Sequence, residues 1–235
     1  MAVQDVRRND LRAPRLYGML GQGEIATLKA MIELTQKNVT LRNGRKISLL
    51  TPNKDTAHIG GVNNARGDYL LLSDGSGFAL MSKLMTLAAG LRPDEMVHLP
   101  LGMKPSAELK KVYPNAFYEG AVLVGDTTES IALKDIAAAL KARKADEQRI
   151  MRAYDVPEAS YFEESWWKGS RKLVAVPLGK RYVVKADSDS YLTMACYCAG
   201  MATYGDDAAA NLRAHQHFHD GRADAGLSFY YWHEK

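Results

Sequence analysis

The pair Asn43-Gly44 constrains this chain more than any other two residues. It stands between two β-prone runs, residues 38–42 and 45–50, and both residue types tolerate positive φ. The pair predicts a β-hairpin over 38–50 with a basic tip of Arg42, Arg45 and Lys46. A second hairpin is predicted over 171–186, with Gly179-Lys180 as its turn. Two hairpins of this kind argue against an all-helical bundle.

The remaining chain reads as helices and shorter strands. Ile25, Leu28, Met31 and Ile32 fall at helical spacing and predict a helix over 22–37. Residues 51–67, with Pro52 and Gly60-Gly61, read as a long loop. A strand over 68–73, a tight turn at 74–77 and a helix over 78–89 closed by Gly90 follow. Next come a strand over 96–101, a short helix from Pro105 to Tyr113 and a strand over 116–124. A long helix is then expected over 129–154, with Leu133, Ile136, Leu140 and Ile150 on its apolar arc and Lys134, Lys141, Lys144 and Arg152 opposite. An aromatic segment over 158–170, helices over 190–204 and 206–217 and a strand over 226–233 complete the chain.

Hairpins mixed with at least five helices, without regular alternation of strand and helix, predict an α+β fold with a mixed, mainly antiparallel sheet. We read residues 1–235 as a single α+β domain, with a two-lobe division near 102–105 as the other arrangement. A hydrophobic content of 46% is enough for a sizeable core and excludes disorder as the general state. Repeats and low-complexity tracts are absent from the sequence. The only two cysteines, Cys196 and Cys198, are too close in sequence for an unstrained stabilising disulfide, which points to a reducing compartment. With no signal-peptide pattern and no apolar run of spanning length, the expected location is cytoplasmic, with no membrane partner.

Charge is uneven. The net charge is only +4, yet residues 1–50 carry nine basic and four acidic side chains, and residues 201–235 carry three basic and five acidic. Basic residues recur on three separate elements: the first hairpin tip, the long helix with Lys141 and Lys144, and the segment containing Trp166, Trp167, Lys168, Arg171, Lys172, Lys180 and Arg181. Cations neutralise phosphates, and aromatic rings stack on splayed bases. The expected function is therefore nucleic-acid binding by backbone contact, to single-stranded RNA or DNA in preference to duplex, within a larger nucleoprotein assembly that includes protein partners.

Two other classes compete. His215, His217, His219 and Asp220 form the densest ionisable cluster, and they are candidates for a metal-dependent hydrolase or nuclease. His215 and His219 would share a face of a continuing helix, whereas an extended chain would put all three histidines on one side. A divalent metal is the one cofactor this cluster suggests; otherwise none is expected. The third class is a protein-binding inhibitor or assembly subunit without catalysis, with Trp166 and Trp167 as its hot spot. The turn at 74–77 lacks the spacing of a phosphate-binding loop, and Leu72 stands where haloacid-dehalogenase-type phosphatases carry their nucleophilic aspartate. It reads as a plain turn.

Overall fold

The computed structural model describes residues 29–63, 69–113, 117–125, 131–143, 145–155, 173–202, 215–218 and 227–232. Its strands are β1 (Lys29–Thr40), β2 (Lys46–Pro52), β3 (Ile59–Asn63), β4 (Tyr69–Ser73), β5 (Glu95–Pro100), β6 (Gly120–Gly125), β7 (Asp146–Asp155), β8 (Leu173–Leu178), β9 (Arg181–Ala186), β10 (His215–Phe218) and β11 (Leu227–Tyr231). Its helices are α1 (Gly75–Ala89), α2 (Ala107–Val112), α3 (Leu133–Lys141) and α4 (Ser188–Ala202). The architecture is α+β. One sheet has seven strands in the order β7-β1-β2-β5-β6-β9-β8, and the other has four in the order β10-β11-β4-β3. Only β2–β5, β6–β9 and β11–β4 pair in parallel, so the pairing is mainly antiparallel.

Several expectations need correction. The described part of the predicted helix over 22–37 is the strand β1, because Ile32 and Leu34 face inward while Met31 and Glu33 face outward, a period of two. The first hairpin is consequently longer than 38–50, and its strands run from Lys29 to Pro52. Its tip is a three-residue loop. The Leu41 N–H donates to Arg45 O (2.8 Å), the Gly44 N–H donates to Leu41 O (2.9 Å), and only Gly44, at φ +80°, is left-handed. That is a turn closed by a glycine bulge, not the two-residue turn in which Asn43 would also take positive φ.

The loop expected over 51–67 contains β3. Gly60 and Gly61 made it look irregular, but a Cβ on Gly61 would lie 2.5 Å from the Leu101 side chain. Glycine there marks close approach of another segment. The long helix over 129–154 is α3 alone, which ends at Lys141; the chain from Asp146 onward is strand β7, with Ile150, Arg152 and Tyr154 less exposed than Met151 and Ala153. The described part of the helix over 206–217 is strand β10. Among the described residues there are four helices, not five. The second hairpin agrees with expectation over 173–186: Leu178 pairs with Arg181 across Gly179-Lys180, and Gly179 has φ +62°.

Packing explains the layers. One large core lies between the seven-stranded sheet, α1, α4 and the inner face of the four-stranded sheet, where Leu34, Val97, Tyr182, Phe78, Tyr191 and Phe229 are all fully buried. The Ser82 hydroxyl donates to Ala195 O at 2.8 Å and ties α1 to α4. The opposite face of the seven-stranded sheet buries Val39, Ile47, Val122 and Val183 against Ile136 and Ala139 of α3. The Arg152 guanidinium on β7 reaches both carboxylate oxygens of Glu95 on β5, at 2.7 and 2.9 Å. Because β1 and β2 intervene in the sheet order, that contact requires a strongly coiled sheet. Among the described residues no helix is long and apolar enough to cross a membrane.

Candidate nucleic-acid interface

The β1–β2 tip is fixed from below. The Asn43 side chain accepts from the Arg45 N–H at 3.1 Å and shapes the loop. The Arg45 guanidinium then lies 3.8 Å from Asp135 on α3 and donates to the Pro93 carbonyl at 3.3 Å. Arg45 is thus engaged by the protein itself, whereas Arg42 and Lys46 flanking it are exposed. Exposed Lys141 and Arg143 close α3, and from there the chain passes within a few residues to Asp146, which pairs with Asn38 near the same tip. Two of the three basic elements therefore meet at one end of the sheet. The acidic groups there are Asp135 beside Arg45, Asp94, which lies 3.7 Å from Arg92, Glu147, which lies 3.4 Å from Lys37, and the exposed Asp146.

The third element divides. Strand β2 runs parallel to β5, β5 antiparallel to β6 and β6 parallel to β9, so Arg181 lies level with Gly120 and Pro100, at the far end of β5. Six residues of β5 separate the two ends, a length of about 20 Å at ~3.3 Å per residue. Lys180 is held by Glu119 at 2.7 Å, and the Lys180 hydrogen bond lowers the Glu119 pKa from its ordinary value. Among the described residues, the buried Arg181 Nε has no hydrogen-bond partner, and neither has His98 Nε2. Burial, aided by the Arg181 charge, lowers the His98 pKa to about 4. Lys144, Trp166, Trp167, Lys168, Arg171 and Lys172 lie outside the described residues.

Of the histidine cluster, His215 and His217 sit on β10, opposite Tyr230 and Ser228, while His219 and Asp220 lie outside the described residues. Among the described residues no three His, Cys, Asp or Glu side chains gather as a metal site would require. Cys196 and Cys198 are buried thiols not joined in a disulfide, and burial pushes Cys196 up to about 11 and Cys198 well above its ordinary value, which disfavours the thiolates a metal would need.

The turn expected over 74–77 is instead the capped first turn of α1, which starts at Gly75 rather than at residue 78, with Asp74 as its N-cap. Asp74 accepts from the Gly77 N–H at 3.0 Å and the Ser76 hydroxyl at 2.8 Å, and its other oxygen meets His58 Nδ1 at 2.9 Å. Burial works to raise this carboxyl, but the hydrogen bonds and the imidazole outweigh it and hold it below its ordinary value. The carboxylate occupies the place at the helix N-terminus where an external anion would bind. Sequence reading missed Arg143, whose contribution depends on α3 ending where it does. No protein-family profile, curated protein or solved structure matches the chain.

Proposed function

We propose that this chain binds nucleic acid through phosphate contacts at the sheet end formed by the β1–β2 tip and the close of α3. The observation that supports the reading is the convergence there of exposed Arg42, Lys46, Lys141 and Arg143 from two elements far apart in sequence. Cations without a groove-reading helix contact the backbone rather than base edges, so sequence preference is weak. The preference for single strands rests on the sequence, where Trp166 and Trp167 supply stacking surfaces.

Neutralising about four phosphates on a single strand gives a log–log salt slope of roughly −3, so affinity falls about fiftyfold for a fourfold rise in salt. The test is a titration of labelled single-stranded RNA and DNA at two salt concentrations. Arg42→Glu plus Lys46→Glu weakens binding and flattens the slope, whereas Lys180→Glu, at the opposite end, leaves both near wild type. Absence of binding at low salt, or an unchanged slope in the double variant, refutes the reading.

A further inference from the structure

β7 is the outermost strand at one end of the seven-stranded sheet, and among the described residues it pairs only with β1. It has ten residues and neither proline nor glycine. The other sheet edges are shorter: β8 has six residues including Pro177, β3 has five including Gly60 and Gly61, and β10 has four. Short edges and prolines discourage pairing between molecules, and β7 lacks both. On the sheet face away from α1, Met31 and Met151 are 52% and 58% exposed. Met31 lies opposite Ala153 and Met151 opposite Glu33, so the two methionines are diagonal neighbours on one surface.

We propose that β7 pairs antiparallel with β7 of a second copy, centred on Ile150, to join the two seven-stranded sheets. A two-fold axis perpendicular to a continuous sheet keeps each residue on its own face, so only residues of equal parity come level. Three central registers satisfy this. Centring on Arg149 sets that arginine against itself, and centring on Met151 brings Glu147 level with Asp155. Centring on Ile150 brings Asp146 level with Tyr154, Glu147 with Ala153, Gln148 with Arg152 and Arg149 with Met151, with no like charges opposed. Like charges directly opposite one another destabilise a strand pair, so charge selects this register. Backbone pairing supplies the affinity, as in other cases of strand addition.

The test uses the exposed Ala153, which this register places opposite Glu147 of the second copy twice per dimer. Sedimentation velocity of the full chain over a concentration series gives the dimer dissociation constant for wild type, Ala153→Lys and Ala153→Glu. The expected result is a dimer that the lysine tightens and the glutamate loosens, each by about two- to thirtyfold from two cross-strand pairs. Circular dichroism of both variants keeps a folding defect distinct from a pairing defect. A wild-type monomer at all concentrations to about 1 mM overturns the proposal. So does a dimer indifferent to the sign of the charge at 153, or a monomer whose β7 amides resist hydrogen exchange because another part of the chain covers the edge. Nucleic-acid binding by the cationic end does not enter these readouts, so the two proposals fail independently.

Discussion

Glu95 is the charge whose removal the fold should feel most. Its side chain is fully buried. Oε1 accepts from Arg152 Nη1 at 2.7 Å and lies 2.9 Å from Arg92 Nη2, while Oε2 accepts from Arg152 Nη2 at 2.9 Å and from the Arg92 N–H at 3.1 Å. Glu95→Gln keeps the shape but turns one acceptor into a donor facing guanidinium. Breaking a buried pair costs about 3 to 5 kcal/mol. The Arg152 and Arg92 side chains remain 28% and 60% exposed and recover some hydration, which sets the expectation at the lower end. Of a typical domain stability of about 5 to 15 kcal/mol, a loss of about 3 kcal/mol is large. In urea unfolding followed by circular dichroism it lowers the midpoint by about 1 to 2 M. Burial pushes the Glu95 carboxyl up, but the Arg152 hydrogen bonds and the neighbouring positive charges outweigh it and leave the folded pKa below the ordinary 4.5. The resulting stability is present above the unfolded value and is lost as pH falls through the folded one, a dependence the glutamine variant lacks. A loss below about 1 kcal/mol, or strict additivity with Arg152→Ala, would refute the assignment of this cluster as the clamp on the coiled sheet.

His98 gives a second pH signature of the same sign. Its folded pKa of about 4 lies below the ordinary 6.5, so stability is full above that value and falls as the pH drops from 6.5 towards 4 while the unfolded chain takes up the proton. The span is about 3 kcal/mol, and the difference between wild-type and His98→Gln unfolding curves across this window isolates it. Gly44→Ala tests the hairpin tip: no atom lies within 4 Å of the new Cβ, so the cost is that of a left-handed alanine at φ +80°. That is about 1 to 2 kcal/mol by thermal or urea unfolding, and a neutral result would show that the loop shifts to another turn.

The legible parts of the fold were those whose geometry is written in neighbouring residues. Asn43-Gly44 and Gly179-Lys180 mark two real reversals, and Gly90 closes α1 where expected, although the helix starts three residues earlier than its apolar spacing suggests. Misreadings arose where tertiary pairing overrode a local pattern. Residues 29–37 satisfy both a helical and an alternating spacing, and β1 is a strand because β2 and β7 pair with it on either side. The same holds for β7, whose apolar residues continue the α3 spacing closely enough to suggest one long helix. The candidate site was legible as residue types but not as an arrangement. Nothing in the sequence tells that Arg45 is tied to Asp135, that α3 ends beside the first hairpin tip, or that Lys180 and Arg181 lie at the opposite end of the sheet.

The two proposed surfaces meet in one strand, and that geometry determines what they do together. β7 begins at Asp146 beside the cationic end and runs away from it to Asp155. Pairing centred on Ile150 brings Asp146 of each copy level with Tyr154 of the other, which offsets the two cationic ends by eight residues along the strand direction, or about 26 Å at ~3.3 Å per residue. At the ~3.4 Å phosphate spacing of a strand stacked as in a duplex, a segment of roughly eight nucleotides covers that offset, and a more extended single strand covers it with fewer. A shorter strand reaches one end at a time and gains nothing from the second copy. A longer strand, once held at one end, meets the other at high effective concentration. Under the two proposals together, affinity gained in this way depends on the β7 pairing, which would link a sheet edge to the binding of a polyanion at one end of its own strand.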